Sequence, residues 1–180
     1  MPRQVALLRG INLGRNRRVS MRDLRKVLED NGYEDVRTHL QSGNVVLSTP
    51  VSGARLERVL ERKLADGLGI EVEVLVRSRK QLSDVVARDP LGKVAKNPSR
   101  YLVSFLRSKP PAKVVRELEA EDVAPEQIVV DGREVYSWHP GGFQRSKLRT
   151  LLTQRLGVTT TGRNWSTVTR LLALMDEEPR

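Results

Sequence analysis

The chemistry-bearing residues of this sequence gather first at positions 9–18, Arg-Gly-Ile-Asn-Leu-Gly-Arg-Asn-Arg-Arg, which hold four arginines, two glycines and two asparagines. The stretch follows a short apolar run and leads to Ser20, a residue type that opens helices. The first turn of a helix presents unpaired N–H groups and a partial positive charge, so anions settle there. The expected chemistry is therefore a cradle for phosphate or an acidic ligand, built from Arg9, Gly10, Asn12, Gly14, Arg15, Arg17 and Arg18. The alternative is a solvated loop whose glycines only make turns. The stretch is neither a Walker loop, which needs Gly-Lys-Ser/Thr, nor a dinucleotide fingerprint.

Three further segments are rich in polar side chains. Gln41, Ser42 and Asn44 flank Gly43 at what reads as a hairpin tip, where all four types also suit a turn. Ser146 and Lys147 follow Pro140-Gly141-Gly142 at a helix entry, with Ser146 as the expected N-cap. Arg163, Asn164 and Trp165 close a run of threonines; Asn164 or Ser166 is expected to cap the last helix and Trp165 to anchor it. Together these residues would suit a pocket in which amides fix orientation and guanidiniums hold charge.

No catalytic residue can be named. His39 and His139 each lie in or beside a hairpin strand with no serine–carboxylate partner legible nearby, and no paired carboxylates stand out. Base stacking is a further option, because Tyr136 with Trp138 and Tyr101 with Phe105 each share a strand face. The aromatic content of 4% makes core packing the competing assignment.

The whole chain sets bounds on these options. Its 180 residues, 38% of them hydrophobic, suffice for a substantial core. The formal net charge is +10, a balance that attracts polyanions. Cysteine is absent and only two histidines occur, so disulfides and thiolate metal sites are excluded and no metal or cofactor is expected. No apolar run is long enough to cross a membrane and no signal core follows Met1, so a cytoplasmic protein is expected.

Periodicity supplies the elements that must position these residues. A strand at 4–9, a helix from Ser20 to Asn31-Gly32, a hairpin at 36–47, a helix near 54–67 and a strand at 70–76 give β-α-β-β-α-β, followed by a short helix. After a Pro- and Gly-broken stretch the order recurs: a strand at 101–106, a helix after Pro110-Pro111, a hairpin across Asp131-Gly132, a helix through Leu148–Leu156, a strand at 158–161 and a last helix. Gly43 answers Gly132 and Gly69 answers Gly157, so the register agrees within one residue. The expected fold is α+β: two ferredoxin-like βαββαβ halves, residues 1–88 and 100–180, joined by 89–99. Each would be a four-stranded antiparallel sheet with helices on one face and a trailing helix.

"ALLRGINLG", "VSMRDLRKVLEDNGYEDVRTHLQSGNVVL", "RSKL" and "TTGRNWSTV", in this order, resemble the bacterial domain-of-unknown-function family number 1697. The resemblance runs from about Val5 to Leu172 and implies duplicated ferredoxin-like subdomains, with no established activity to carry over. It points to Arg9, Gly10, Asn12, Gly14, Gln41, Ser42, Gly43, Asn44, Ser146, Lys147, Arg163, Asn164 and Trp165 as characteristic positions. Arg15 and Arg17 stand where family members often carry glycine or asparagine, which makes this loop more basic. His39 stands where an aromatic is common, which argues against a catalytic base.

Three functions follow as expectations. The first is an anion-binding module, with nucleic acid as the partner, acting through the basic loop. The second is an enzyme or sensor for a small anionic ligand at a cleft where the loop, the hairpin tip and Arg163-Asn164 converge. The third is an interaction or structural protein that keeps its sheet faces for a partner or for the other half.

Overall fold

A computed structural model describes residues 1–15 and 18–179. Its contacts divide the chain into two units, Met1–Asp84 with residues 169–179, and Val85–Val168. Each contains one four-stranded antiparallel sheet with strand–helix alternation, the α+β arrangement of two ferredoxin-like halves.

In the first unit the elements are β1 (Arg3–Leu8), α1 (Met21–Asp30), β2 (Glu34–His39), β3 (Asn44–Ser48), α2 (Gly53–Leu68), β4 (Val74–Ser78) and most of α3 (Arg79–Arg88), and the sheet order is β2-β3-β1-β4. Alternation puts Ala6, Leu8, Val45, Leu47, Val74 and Val76 on one face. There they form a core with Leu24 and Leu28 of α1 and Leu56, Leu60 and Leu64 of α2. Helix α1 starts where its sequence says: the Ser20 hydroxyl accepts from the Asp23 N–H at 3.0 Å. Helix α2 stops at Gly69, whose φ of 65° is a left-handed conformation that costs glycine little.

The strand expected at 70–76 begins instead at Val74. Pairing with β1 starts at the Leu8–Val74 register position, because β1 has ended by then. Alternation at 70–73 is real, yet Val72 joins the helix-side core without a strand partner.

Strand β4 is an edge, and its exposed amides are covered by α2. The Val74 N–H donates to Glu61 Oε1 and the Val76 N–H to Glu57 Oε1, both at 2.9 Å. An edge strand left bare would offer those groups to another chain.

The second unit repeats the order with β5 (Tyr101–Leu106), α4 (Ala112–Glu119), β6 (Gln127–Asp131), β7 (Glu134–Trp138), α5 (Lys147–Arg155) and β8 (Thr160–Asn164), arranged β6-β7-β5-β8. Its core joins Leu106, Leu118, Val135, Leu148, Leu151, Leu152 and Leu156. The last strand lies at 160–164 where 158–161 was expected, so Arg163 and Asn164 belong to the sheet rather than to a loop. Helix α6 (Trp165–Asp176) starts in this unit, and from Thr169 onward groups with the first.

The equivalence of the halves extends to hydrogen bonds. Arg9 N–H donates to the Glu73 carbonyl and Arg107 N–H to the Thr159 carbonyl, both at 2.9 Å. No helix among the described residues is long and apolar enough to cross a membrane.

Candidate functional site

Two of the polar segments meet directly. The Leu8 N–H donates to the Gly43 carbonyl at 2.9 Å. Asn12, at φ 54°, staples the loop to the hairpin: its Nδ2 donates to the Gln41 carbonyl at 2.6 Å and the Val19 carbonyl at 2.9 Å, while its Oδ1 accepts from the Val19 N–H at 2.7 Å. Asn44 Nδ2 donates within the hairpin to the His39 carbonyl at 2.8 Å and to Ser42 Oγ at 2.9 Å. Gly10 and Gly14 turn the loop at positive φ, and Ile11 is buried in the core. The side-chain amides of Asn12 and Asn44 are therefore spent on shaping the loop and the hairpin, while Gln41 stays exposed.

The arginines of the loop divide into two kinds. Arg9 is paired to Glu73 at 2.9 Å, both about half exposed. Arg15 and Arg18 are exposed and form no ion pair among the described residues; Arg17 lies outside them. Arg22, in the first turn of α1, is likewise exposed. The helix start itself is occupied by the Ser20 hydroxyl, with Asp23 beside it.

Along edge strand β2, a cleft of about 610 Å³ is lined by Arg25, Glu29, Asp35–His39, Arg170 and Leu174. Arg25 Nη1 donates to Thr38 Oγ1 at 2.6 Å. Burial, and secondarily the Arg170 charge, pushes the His39 pKa down from its ordinary value. A register irregularity between Glu34 and Arg37 aims Asp35, at φ 49°, along this edge. Its carboxylate pairs with Arg3 at 2.6 Å and Arg37 at 3.0 Å, and all three side chains are nearly buried.

In the second unit the predicted residues are largely structural. The Ser146 hydroxyl caps α5, accepting from the Arg149 N–H at 2.9 Å. Lys147 is exposed and donates to the Asp122 carbonyl at 2.8 Å. Asn164 Oδ1 caps α6, accepting from the Thr167 N–H at 3.0 Å and the Ser166 hydroxyl at 2.8 Å. Trp165 stacks on Tyr101, centroids 4.7 Å apart and planes 12° from parallel. Arg163 is buried among β-strand neighbours and donates to Thr161 Oγ1 at 2.7 Å and the Gly162 carbonyl at 2.8 Å; burial pushes its pKa down to about 10. It is thus not a surface seat for an anion. Tyr101, Phe105 and Tyr136 are buried as well, so they present no platform for bases.

His139 does have serine and carboxylate partners, contrary to the expectation from sequence. Its Nε2 meets Ser137 Oγ at 2.7 Å, and its Nδ1 meets Ser146 Oγ at 2.8 Å and Glu126 Oε1 at 3.4 Å. Ser137, two residues earlier on a strand, was the legible signal, since such residues share a face. The ring is fully buried, with Phe143 edge-on at 5.1 Å. The cluster fixes the cap of α5 through Ser146. Glu126 helps, accepting from the Leu148 N–H at 2.9 Å.

The family model described as "Protein of unknown function (DUF1697)" matches residues 1–136. The chain belongs to that family. The structure of a conserved bacterial protein from Streptococcus pneumoniae is similar over 97% of this chain and 98% of that one, with a TM-score of 0.76 at 20% identity, a likeness of fold alone. No curated protein matches the sequence.

In this DUF1697 protein the sequence points to Arg163 but gives no sign of Arg77, its counterpart in the first unit. Arg77 faces Val5 and Arg163 faces Val103, equivalent places on the fourth strand of each sheet. Both are buried, and both donate to the carbonyl of the preceding residue. Buried guanidiniums repeated at matching positions explain part of the excess of arginine without reference to any ligand. The exposed large hydrophobics are Met1, Leu13, Leu40, Val94 and Phe143, none of them on a strand, so an open apolar sheet face is not found among the described residues.

Proposed function

We propose that this protein is an anion-binding module that engages a polyanion, with single-stranded nucleic acid as the best-suited class, through the cationic surface at the start of α1. The observation that carries the proposal is the exposure of Arg15, Arg18 and Arg22, none of them ion-paired among the described residues. Arg9 and Arg163 drop out of the expected set, one neutralised by Glu73 and the other buried. Arg25, three residues beyond Arg22, continues the same helix face toward the cleft that holds His39 and Arg170. A stripe of this kind suits a repeating charge better than a single small anion.

Recognition of this kind would run through phosphates. Of the aromatic residues that could stack on bases, Tyr101, Phe105 and Tyr136 are buried and Trp138 is half-buried, and backbone contacts supply affinity with little sequence preference. The second reading, a small anionic ligand, draws on the cleft of about 610 Å³, a size that ligand sites commonly have.

Fluorescence anisotropy with a labelled single-stranded oligonucleotide at low ionic strength tests the proposal. The double variant Arg15→Gln/Arg18→Gln should bind roughly tenfold more weakly, since each cation lost leaves one phosphate un-neutralised. Equal binding by both proteins, or none by either, would defeat it.

A further inference from the structure

A second cationic site lies across one end of the first sheet, where Arg3 begins β1 and Arg79 follows β4, and it already holds carboxylates. Arg37 Nη1 and Arg170 Nη1 grip opposite oxygens of the Glu177 carboxylate at 2.8 and 3.0 Å. Arg79 Nε takes Asp176 Oδ1 at 2.6 Å. The backbone of the same stretch is held too. Arg3 Nη1 donates to the Met175 carbonyl at 2.8 Å and to the Glu177 carbonyl, and Arg37 Nη2 donates to the Glu178 carbonyl. Four arginines thus hold both the acidic side chains and the main chain of residues 175–178.

We infer that Arg3, Arg37, Arg79 and Arg170 form a receptor for acidic peptide segments, which the chain's own residues 176–178 occupy in cis. The charge balance supports a receptor. Arg3 and Arg37 are nearly buried and share a single buried carboxylate, Asp35. Two desolvated guanidiniums against one carboxylate leave a positive excess that a further anion must balance. Glu177 supplies that anion from a side chain still 39% exposed, as a displaceable ligand would. Helix capping alone would need only the Arg3 contacts to the end of α6. Space is present on both sides: the cleft with Arg25 and His39 on one, and on the other a cleft of about 730 Å³ lined by Met1, Arg3, Arg79 and residues 175–179. The ligand class is a peptide rather than a free oxyanion, because Arg3 and Arg37 read main-chain carbonyls as well as charge.

The test uses the full chain and a fluorescein-labelled peptide copying residues 172–179. The variant Asp176→Asn/Glu177→Gln weakens the grip in cis without adding volume. If the native receptor is open about a tenth of the time, unmasking raises apparent affinity roughly tenfold. Adding Arg170→Gln to that variant should remove most of the gain, and a peptide with Asn and Gln in place of Asp and Glu should bind neither protein. Should the unmasked variant bind the acidic peptide no better than the native chain, or bind the amide peptide equally well, the inference is overturned. Arg15→Gln/Arg18→Gln, which tests the nucleic-acid surface, should leave peptide binding unchanged, so the two proposals fail separately.

Discussion

Gly43 lies so close to Leu8 that a Cβ on the glycine would stand 2.7 Å from the leucine Cβ, and 2.8 Å from Ile11 Cδ1. The hairpin tip and the basic loop are therefore pressed together through a position that accepts hydrogen only, held at φ 80°. Gly43→Ala combines overpacking with a left-handed backbone and should cost roughly 2–5 kcal/mol. Urea denaturation checks this; a loss below about 1 kcal/mol would mean that the two segments part easily.

Asn12 makes three hydrogen bonds from one side chain. Asn12→Ala should lower stability by about 2–3 kcal/mol and loosen the loop. Hydrogen exchange read by NMR should show the Val19 amide losing protection while the sheet amides keep theirs.

The buried Glu57 carboxylate covers the Val76 amide on edge strand β4. Glu57→Ala leaves that N–H uncovered and should destabilise by roughly 1–3 kcal/mol. Glu57→Gln retains an acceptor oxygen and should recover much of the loss. Thermal melts of the two variants, together with light scattering for edge-to-edge association, separate the effects.

Stability should fall on the acid side because of His139. Burial pushes its folded pKa below the ordinary value near 6.5, with Glu126 opposing that shift. The unfolded chain then binds the proton more readily, so stability is full above about pH 6.5 and declines as pH falls below it. His139→Asn, compared with the native protein across pH 7 to 5, should show a smaller decline. An identical slope would assign the acid sensitivity elsewhere, His39 being the other histidine.

The fold was readable because its determinants are local. Leu24 and Leu28, Leu56 and Leu60, and the alternation along β1 repeat at the periods that helices and strands impose, and Gly43 and Gly132 mark both hairpins. The site was less readable because its partners are distant in sequence. Arg37 and Glu177 stand 140 positions apart, and nothing in the spacing of either announces the other. Arg9 looked like an open cation until β4 brought Glu73 beside it. Arg163 looked like a loop residue because its run of threonines and glycine hides a strand whose pairing with β5 decides its burial.

Salt dependence tests the central claim most directly. For a single-stranded oligonucleotide, log affinity should fall linearly with log salt, with a slope near −0.7 for each phosphate neutralised. Replacing Arg15, Arg18 and Arg22 together by glutamine should make that slope shallower by about 2. An unchanged slope in the triple variant, or affinity that ignores salt in the native chain, would contradict a polyanion surface at the start of α1.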